Sequence, residues 1–182
     1  MKYFKKMVGE KVYLSPMNVE DVEIYTKWMN DRRITDNLGN SAFIFNISGE
    51  KEWLENHGKN GDANFAIIDI KSDELIGNCS LMGIDRIQGN ATIGIYIGEE
   101  EYRSKGYGTD ALNLLLDFAF NIQNLHNVDL HVFSFNERAI KCYKKVGFKE
   151  YGRRHNCYRL DGKYYDEVLM EILQEDYRKS RW

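Results

Sequence analysis

A single proline, Pro16, interrupts the 182 residues, and no apolar run approaches the length of a membrane span. The start, "MKYFKKMVGEKVYL", carries lysines but no apolar stretch after them, so no signal peptide is expected. The three cysteines, Cys79, Cys142 and Cys157, are odd in number and show no CxxC spacing. That argues against a disulfide framework or a zinc site and for free thiols in a reducing compartment. The four histidines, His57, His126, His131 and His155, also lack metal spacing, so no metal is expected. His126 and His131 flank a predicted strand and read as surface residues. Basic bias is missing too: 25 Lys and Arg stand against 28 Asp and Glu, a net charge of −3, which argues against a nucleic-acid partner. There is no Gly/Ser linker, internal repeat or low-complexity tract. One domain spanning 1–182, cytoplasmic and without a membrane partner, is the expectation. A chain of this size buries roughly 70% of its unfolded surface and needs no staples.

What is present is a regular alternation of elements. "KVYLSPM" reads as a strand ended by Pro16. "NVEDVEIYTKWMND" reads as a helix with Asn18 as N-cap and Val22, Tyr25, Trp28 and Met29 at helical spacing. "SGEKEWLENHG", capped by Ser48, reads as a second helix. Strands follow in "ANFAIIDI", "ELIGNCSLMGID" and "NATIGIYIG", with turns at Asp73 and at Gln88–Asn90. A helix is predicted to run to about Asn121, then a strand in "NVDLHVFSF", a helix in "NERAIKCYKKVG", and a hairpin closed by Asp161-Gly162. The order implies a mixed, mostly antiparallel sheet with helices on its faces, an α/β (α+β) fold. Trp28, Trp53 and Phe65 are expected in its core.

The segment "EYRSKGYGTDALNLLLDFAF", Glu101 to Phe120, poses the functional question. Leu112, Leu115, Leu116 and Ala119 form one apolar stripe, yet Lys105, Gly106, Tyr107 and Gly108 before them supply no good cap. The first amides of that helix are therefore orphaned, beside glycines that let a ligand approach the backbone and beside Arg103 and Lys105. A phosphate fits there. An ordinary exposed turn made soluble by two basic residues fits the composition equally. A P-loop is excluded by the order Lys-Gly. Gly106-Tyr-Gly108-Thr-Asp-Ala111 nominally satisfies the Rossmann GxGxxA pattern, with Asp129 at a fitting distance. It stands too late in the chain, however, and Asp129 lies near the start of its strand. A nucleotide-binding module is thus the weaker reading.

Arg103-Ser-Lys-Gly106-Tyr-Gly108 resembles the R/Q-x-x-G-x-G/A loop of the GNAT superfamily of N-acetyltransferases. Downstream, "NERAIKCYKKVGF" resembles that family's N-x-x-A-x-x-x-Y-x-x-x-G-F segment, with Asn136, Ala139, Tyr143, Gly147 and Phe148 in register. The N-terminal part is similar to the branch holding ribosomal-protein N-terminal and spermidine acetyltransferases. The resemblance is firm from about Ala91 to Phe148 and looser elsewhere. It implies a GNAT fold with a V-shaped splay between two central strands. It also implies acetyl-CoA as co-substrate, bound by the loop Arg103, Ser104, Lys105, Gly106, Tyr107, Gly108 and Thr109, by Asn136 and Ala139, and by backbone groups around Ile97 and Gly98. One of those amides would hold the thioester carbonyl, and a β-bulge there would splay the strands. The acceptor would be a primary amine: a protein N-terminus, a polyamine or another small amine. Members often form dimers or larger rings, so a homodimer is compatible.

Acetyl transfer requires a positioned thioester, a deprotonated amine, a stabilised oxyanion and a protonated leaving thiolate. Tyr143, protonated at neutral pH, is the candidate acid; Ile140, Tyr143 and Val146 share a helix face, so core packing is its alternative role. Asn136 can cap its helix, touch the ligand, or both. Relatives in this branch often carry Glu in an E-I-G-Y stretch, and here Thr92 stands in that place. Thr cannot act as a base at neutral pH. Glu99, the first of the acids Glu99, Glu100 and Glu101, is the candidate base, acting through water; a solvated charged turn is the plain alternative. Tyr158, Tyr164 and Tyr165 either line the acceptor pocket or pack in a strand. Asp31, Asp36 and Glu52 would suit a cationic acceptor, with Arg32 and Arg33 opposing them. Cys142 lies next to Tyr143 but about 100° round the helix, which disfavours a covalent intermediate. The resulting expectation is direct transfer in a ternary complex, with a non-catalytic acyl-CoA sensor as the rival that Thr92 supports.

Overall fold

The computed structural model describes residues 2–57, 59 and 61–179; the predicted end of the second helix, at Gly58, lies outside them. Eight strands form one sheet in the order β1-β2-β3-β4-β5-β6-β8-β7. They are β1 (Met7–Val8), β2 (Val12–Pro16), β3 (Ala63–Asp69), β4 (Leu75–Asp85), β5 (Asn90–Ile97), β6 (Asn127–Phe133), β7 (Lys149–Leu160) and β8 (Lys163–Leu173). The helices are α1 (Val22–Met29), α2 (Arg32–Leu38), α3 (Ile47–Asn56), α4 (Tyr107–Asp117), α5 (Glu137–Val146) and α6 (Gln174–Lys179). Every neighbouring strand pair is antiparallel except β5 with β6. The α4 and α5 stripes close one face over Leu14, Ile67, Ile76 and Val128. Helices α1 to α3 close the other over Tyr13, Ala66, Ile68 and Tyr96.

The turns form where their residues allow. Asp161 and Gly162 both take positive φ, 46° and 80°, as a two-residue hairpin with the right twist demands. Gly147 ends α5 in the left-handed region at φ 115° and donates to the Tyr143 and Lys144 carbonyls.

Several expectations are corrected. The cap of α3 is Asn46, whose Oδ1 accepts from Gly49 N at 2.9 Å, two residues before Ser48. Asn18 caps a short 3-10 turn ahead of α1. Helix α4 runs on through a π-helical turn, Phe118–Ile122, which buries Phe118, Ala119 and Phe120 in succession. The wider turn brings three consecutive apolar residues inward. Trp28 and Phe65 are buried as expected, whereas Trp53 is 42% exposed.

The parallel pair positions the site. Strands β5 and β6 are paired only over Asn90–Asn127, Ala91–Val128 and Thr92–Asp129. Beyond these residues they part, and the V-shaped splay opens. It needs no bulge at Ile97: β5 stays in register with β4 from Thr92 to Ile97, and the irregularity in that pair lies at Met82–Asp85. The splay comes from loss of pairing with β6.

Candidate active site

The split between β5 and β6 holds a cavity of about 610 Å³ that passes through the sheet. On one side it meets α4 and α5 at Gly108, Thr109, Asn136 and Tyr143; on the other it meets α2 at Arg33 and Asn37.

At the helical end, Gly106 sits at φ 89° as N-cap of α4, with no side-chain cap behind it. Ser104 is also left-handed, at φ 60°. The first intrahelical bond runs from Asp110 N to Gly106 O at 3.0 Å, so the amides ahead of Asp110 have no helical acceptor. They and the positive end of the helix dipole face the loop. The loop is held from behind: the Asp110 carboxylate accepts from the backbone amides of Lys11 at 2.7 Å and Val12 at 3.0 Å.

The predicted residues divide. Ser104, Gly106, Gly108, Thr109, Asn136, Ala139 and Tyr143 line the cavity, as does Ile97. Asn136 also caps α5, with Oδ1 accepting from Ala139 N at 3.2 Å, so a structural role is fixed for it. Lys105 and Tyr107 are outside the lining. The Tyr107 ring packs on Tyr102 at 5.0 Å and under Lys11 Nζ at 5.4 Å. Arg103 lines the cavity, but its guanidinium donates to Ile97 O at 3.0 Å and Gly98 O at 2.7 Å. It latches the loop to the end of β5.

Gly98 N–H is spent on Ile76 O at 2.9 Å and cannot receive a thioester oxygen. Alternate strand residues turn their backbone groups to opposite neighbours. Ile95 therefore presents both of its groups to the split and Ile97 its N–H, the Ile97 carbonyl being taken by Arg103. Gly98 has a packing role instead: a Cβ there would stand 2.1 Å from the Trp28 ring.

Glu99 is corrected as a base. It lies outside this cavity, and one carboxylate oxygen accepts from Trp28 Nε1 at 2.9 Å and Lys27 Nζ at 2.8 Å. The Lys27 contact first, then the Trp28 contact, hold its carboxyl below the usual range. Tyr143 is buried and packs on Phe148 at 5.9 Å. Burial pushes its phenol well above the usual value, so it keeps its proton. Cys142 lines the cavity beside it, with Sγ 3.4 Å from Thr109 Oγ1.

At the other end, Thr92, His131, Phe133 and Glu167 form the wall. Phe133 stacks on Tyr158 at 4.0 Å, and Tyr165 meets Phe135 at 4.9 Å. Tyr158 and Tyr165 thus support the wall from behind, while Tyr164 is 61% exposed. Asp31 and Asp36 are engaged by Arg33 and Arg32 and offer no open acidic funnel. His131, expected at the surface, is partly exposed on this wall, and Glu167 stands beside it. Only the pairing of β6 with β8 brings them to one wall, and no local signal marks them.

The Acetyltransferase (GNAT) domain family matches residues 14–169. The chain belongs to the GNAT acetyltransferase family, a class of N-acetyltransferases. A spermidine N(1)-acetyltransferase of Vibrio cholerae is 32% identical over 157 residues, 81% of this chain and 90% of the relative. An uncharacterized N-acetyltransferase of Bacillus licheniformis, p20, is 26% identical over 172 residues, 92% of this chain and 96% of the relative. The crystal structure of spermidine N-acetyltransferase from Vibrio cholerae in complex with CoA and spermine superposes with a TM-score of 0.83. It shares 28% identity and covers 92% of this chain and 98% of its own.

Proposed function

We propose that the protein moves an acetyl group from acetyl-CoA to the primary amine of a small acceptor, directly, in a ternary complex. A polyamine of the spermidine type is the leading acceptor class, on the strength of the relatives' names; a peptide N-terminus or another small amine uses the same chemistry. The reading rests on one observation above all: a single cavity joins orphaned helix amides on one face of the sheet to an open wall on the other.

The residues fit the donor. The amides at the start of α4 and the left-handed Gly106 suit a pyrophosphate. The groups of Ile95 and Ile97 that face the split suit the amide-bearing arm. Tyr143 keeps its proton and donates it to the departing sulfur. Cys142, held towards Thr109, is given no covalent role. The free thiols suit a reducing compartment, and we place the enzyme in the cytoplasm.

The test is CoA thiol release from acetyl-CoA across spermidine, spermine, other small amines and short peptides, for the wild type and Tyr143→Phe. Amine-dependent release that falls at least about tenfold in the variant, about 1.4 kcal/mol of barrier, is expected. Acetyl-CoA binding without release by any amine would instead identify a sensor.

A further inference from the structure

Thr92 leaves the amine without a base on β5, and Glu99 is engaged with Trp28. The facing strand supplies another group. His131 lies on β6 just past the last paired residue, Asp129, where the strands have begun to part. It lines the cavity, and its side chain is 47% exposed. Its Nδ1 is 3.7 Å from Glu167 Oε1 on β8, an ion-pair distance that is longer than a hydrogen bond. Glu167 is 14% exposed and is held on its other oxygen by Arg154 of β7, at 3.0 Å. A base oriented by a carboxylate that is itself fixed is the arrangement that general-base catalysis uses, and such contacts often tighten only when substrate is bound.

We propose that His131 is the base of the transfer and Glu167 its positioning residue; this rests on the acetyl-transfer reading above. With Glu167 accepting from Nδ1, the Nε2 lone pair is left for the cavity. The acceptor arrives as an ammonium. Nε2 takes one of its protons and passes it to solvent through the exposed part of the ring. The neutral nitrogen then attacks the thioester carbon. As the N–C bond forms and the C–S bond breaks, the sulfur takes the proton of Tyr143, and the new amide's surplus proton restores the phenol. One ammonium and one thioester give one amide, one thiol and one proton in solution.

The charged groups around His131 come from every neighbouring element. Glu167 and Glu171 lie on β8, and Arg154 and Tyr151 lie on β7. Asp129 precedes it on β6, opposite Glu171, while Arg33 and Arg138 line the same cavity.

The experiment is the pH profile of kcat/KM for spermidine, with acetyl-CoA affinity measured by calorimetry, in wild type, His131→Gln, His131→Ala and Glu167→Gln. In His131→Gln a loss of about 100-fold or more and disappearance of the acid limb are expected, at unchanged acetyl-CoA affinity. Imidazole in the buffer is expected to restore part of the His131→Ala rate, which no structural role of the ring would produce. Glu167→Gln is expected to lose less than His131→Gln and to lower kcat more than it raises KM, and Glu167→Asp is expected to recover part of the rate, since a carboxylate again orients the ring. Wild-type turnover that persists within about threefold in His131→Gln, with the same acid limb, overturns this proposal alone. Acetyl-CoA binding with no wild-type turnover on any amine overturns the acetyl-transfer reading and this proposal with it.

Discussion

The Asp110 carboxylate accepts the backbone N–H of Lys11 at 2.7 Å, across 99 positions of chain. It also accepts Val12 N at 3.0 Å and lies where a Cβ on Gly9 would fall. The first turn of α4 is thereby tied to the edge of the sheet. Its uncapped amides are held in place by a residue that never faces the ligand. Asp110→Ala leaves the Lys11 and Val12 amides without their acceptor. Loss of about 1–2 kcal/mol in urea unfolding is expected, the low side for charged hydrogen bonds because the site is partly exposed. Acetyl-CoA affinity should fall with it, measured by calorimetry, as the loop loses its backing.

Gly98→Ala tests the contact between the end of β5 and α1. The added Cβ meets the Trp28 ring at 2.1 Å, and that ring is buried and held by Glu99. Destabilisation of roughly 1–3 kcal/mol is expected from overpacking, read by urea unfolding. A shift in tryptophan emission would show that the ring has moved.

Glu99 makes stability depend on acid pH. Its folded carboxyl lies below the unfolded range, chiefly through Lys27. Its contribution is therefore complete above the unfolded pKa, about 4.3, and is lost as pH falls through the lower folded value. The stability gap between wild type and Glu99→Gln should narrow between pH 6 and pH 3, about the span in which a carboxylate protonates. Denaturation series at several pH values measure it. A gap that is constant across that span would contradict the assignment.

The three thiols should separate by reactivity. Cys79 is fully buried and its thiol is pushed up by burial, so it should resist iodoacetamide in the native protein. Cys157 is exposed and should react with or without CoA. Cys142 lines the cavity and should react about tenfold more slowly, or less, when CoA saturates the site. Mass spectrometry of each peptide reads the three rates.

Much of this was legible in the sequence because it is local. Asn136 and Gly147 bracket α5, the Asp161-Gly162 pair makes its hairpin, and the glycines before α4 announce an uncapped helix. Three roles were not legible. Arg103 reads as a phosphate ligand until Ile97 and Gly98 are seen to take its guanidinium. Glu99 reads as a base until Trp28 is placed beside it. His131 reads as a surface residue, which it is, but only β8 brings Glu167 against it.

By itself the sequence determined most of the elements and their order, though not β1, α2 or α6, together with the uncapped start of α4 and the two segments that mark the family. These follow from periodicity, capping and turn chemistry, which act within a few residues. Tertiary structure alone decided which polar side chains remain available for chemistry. A charge is spent on whichever partner lies within hydrogen-bond reach, and that partner is set by strand pairing far along the chain. The same pairing decided the cleft: β5 and β6 bond over three residue pairs and then separate, and nothing in either strand's own residues states where their contact ends.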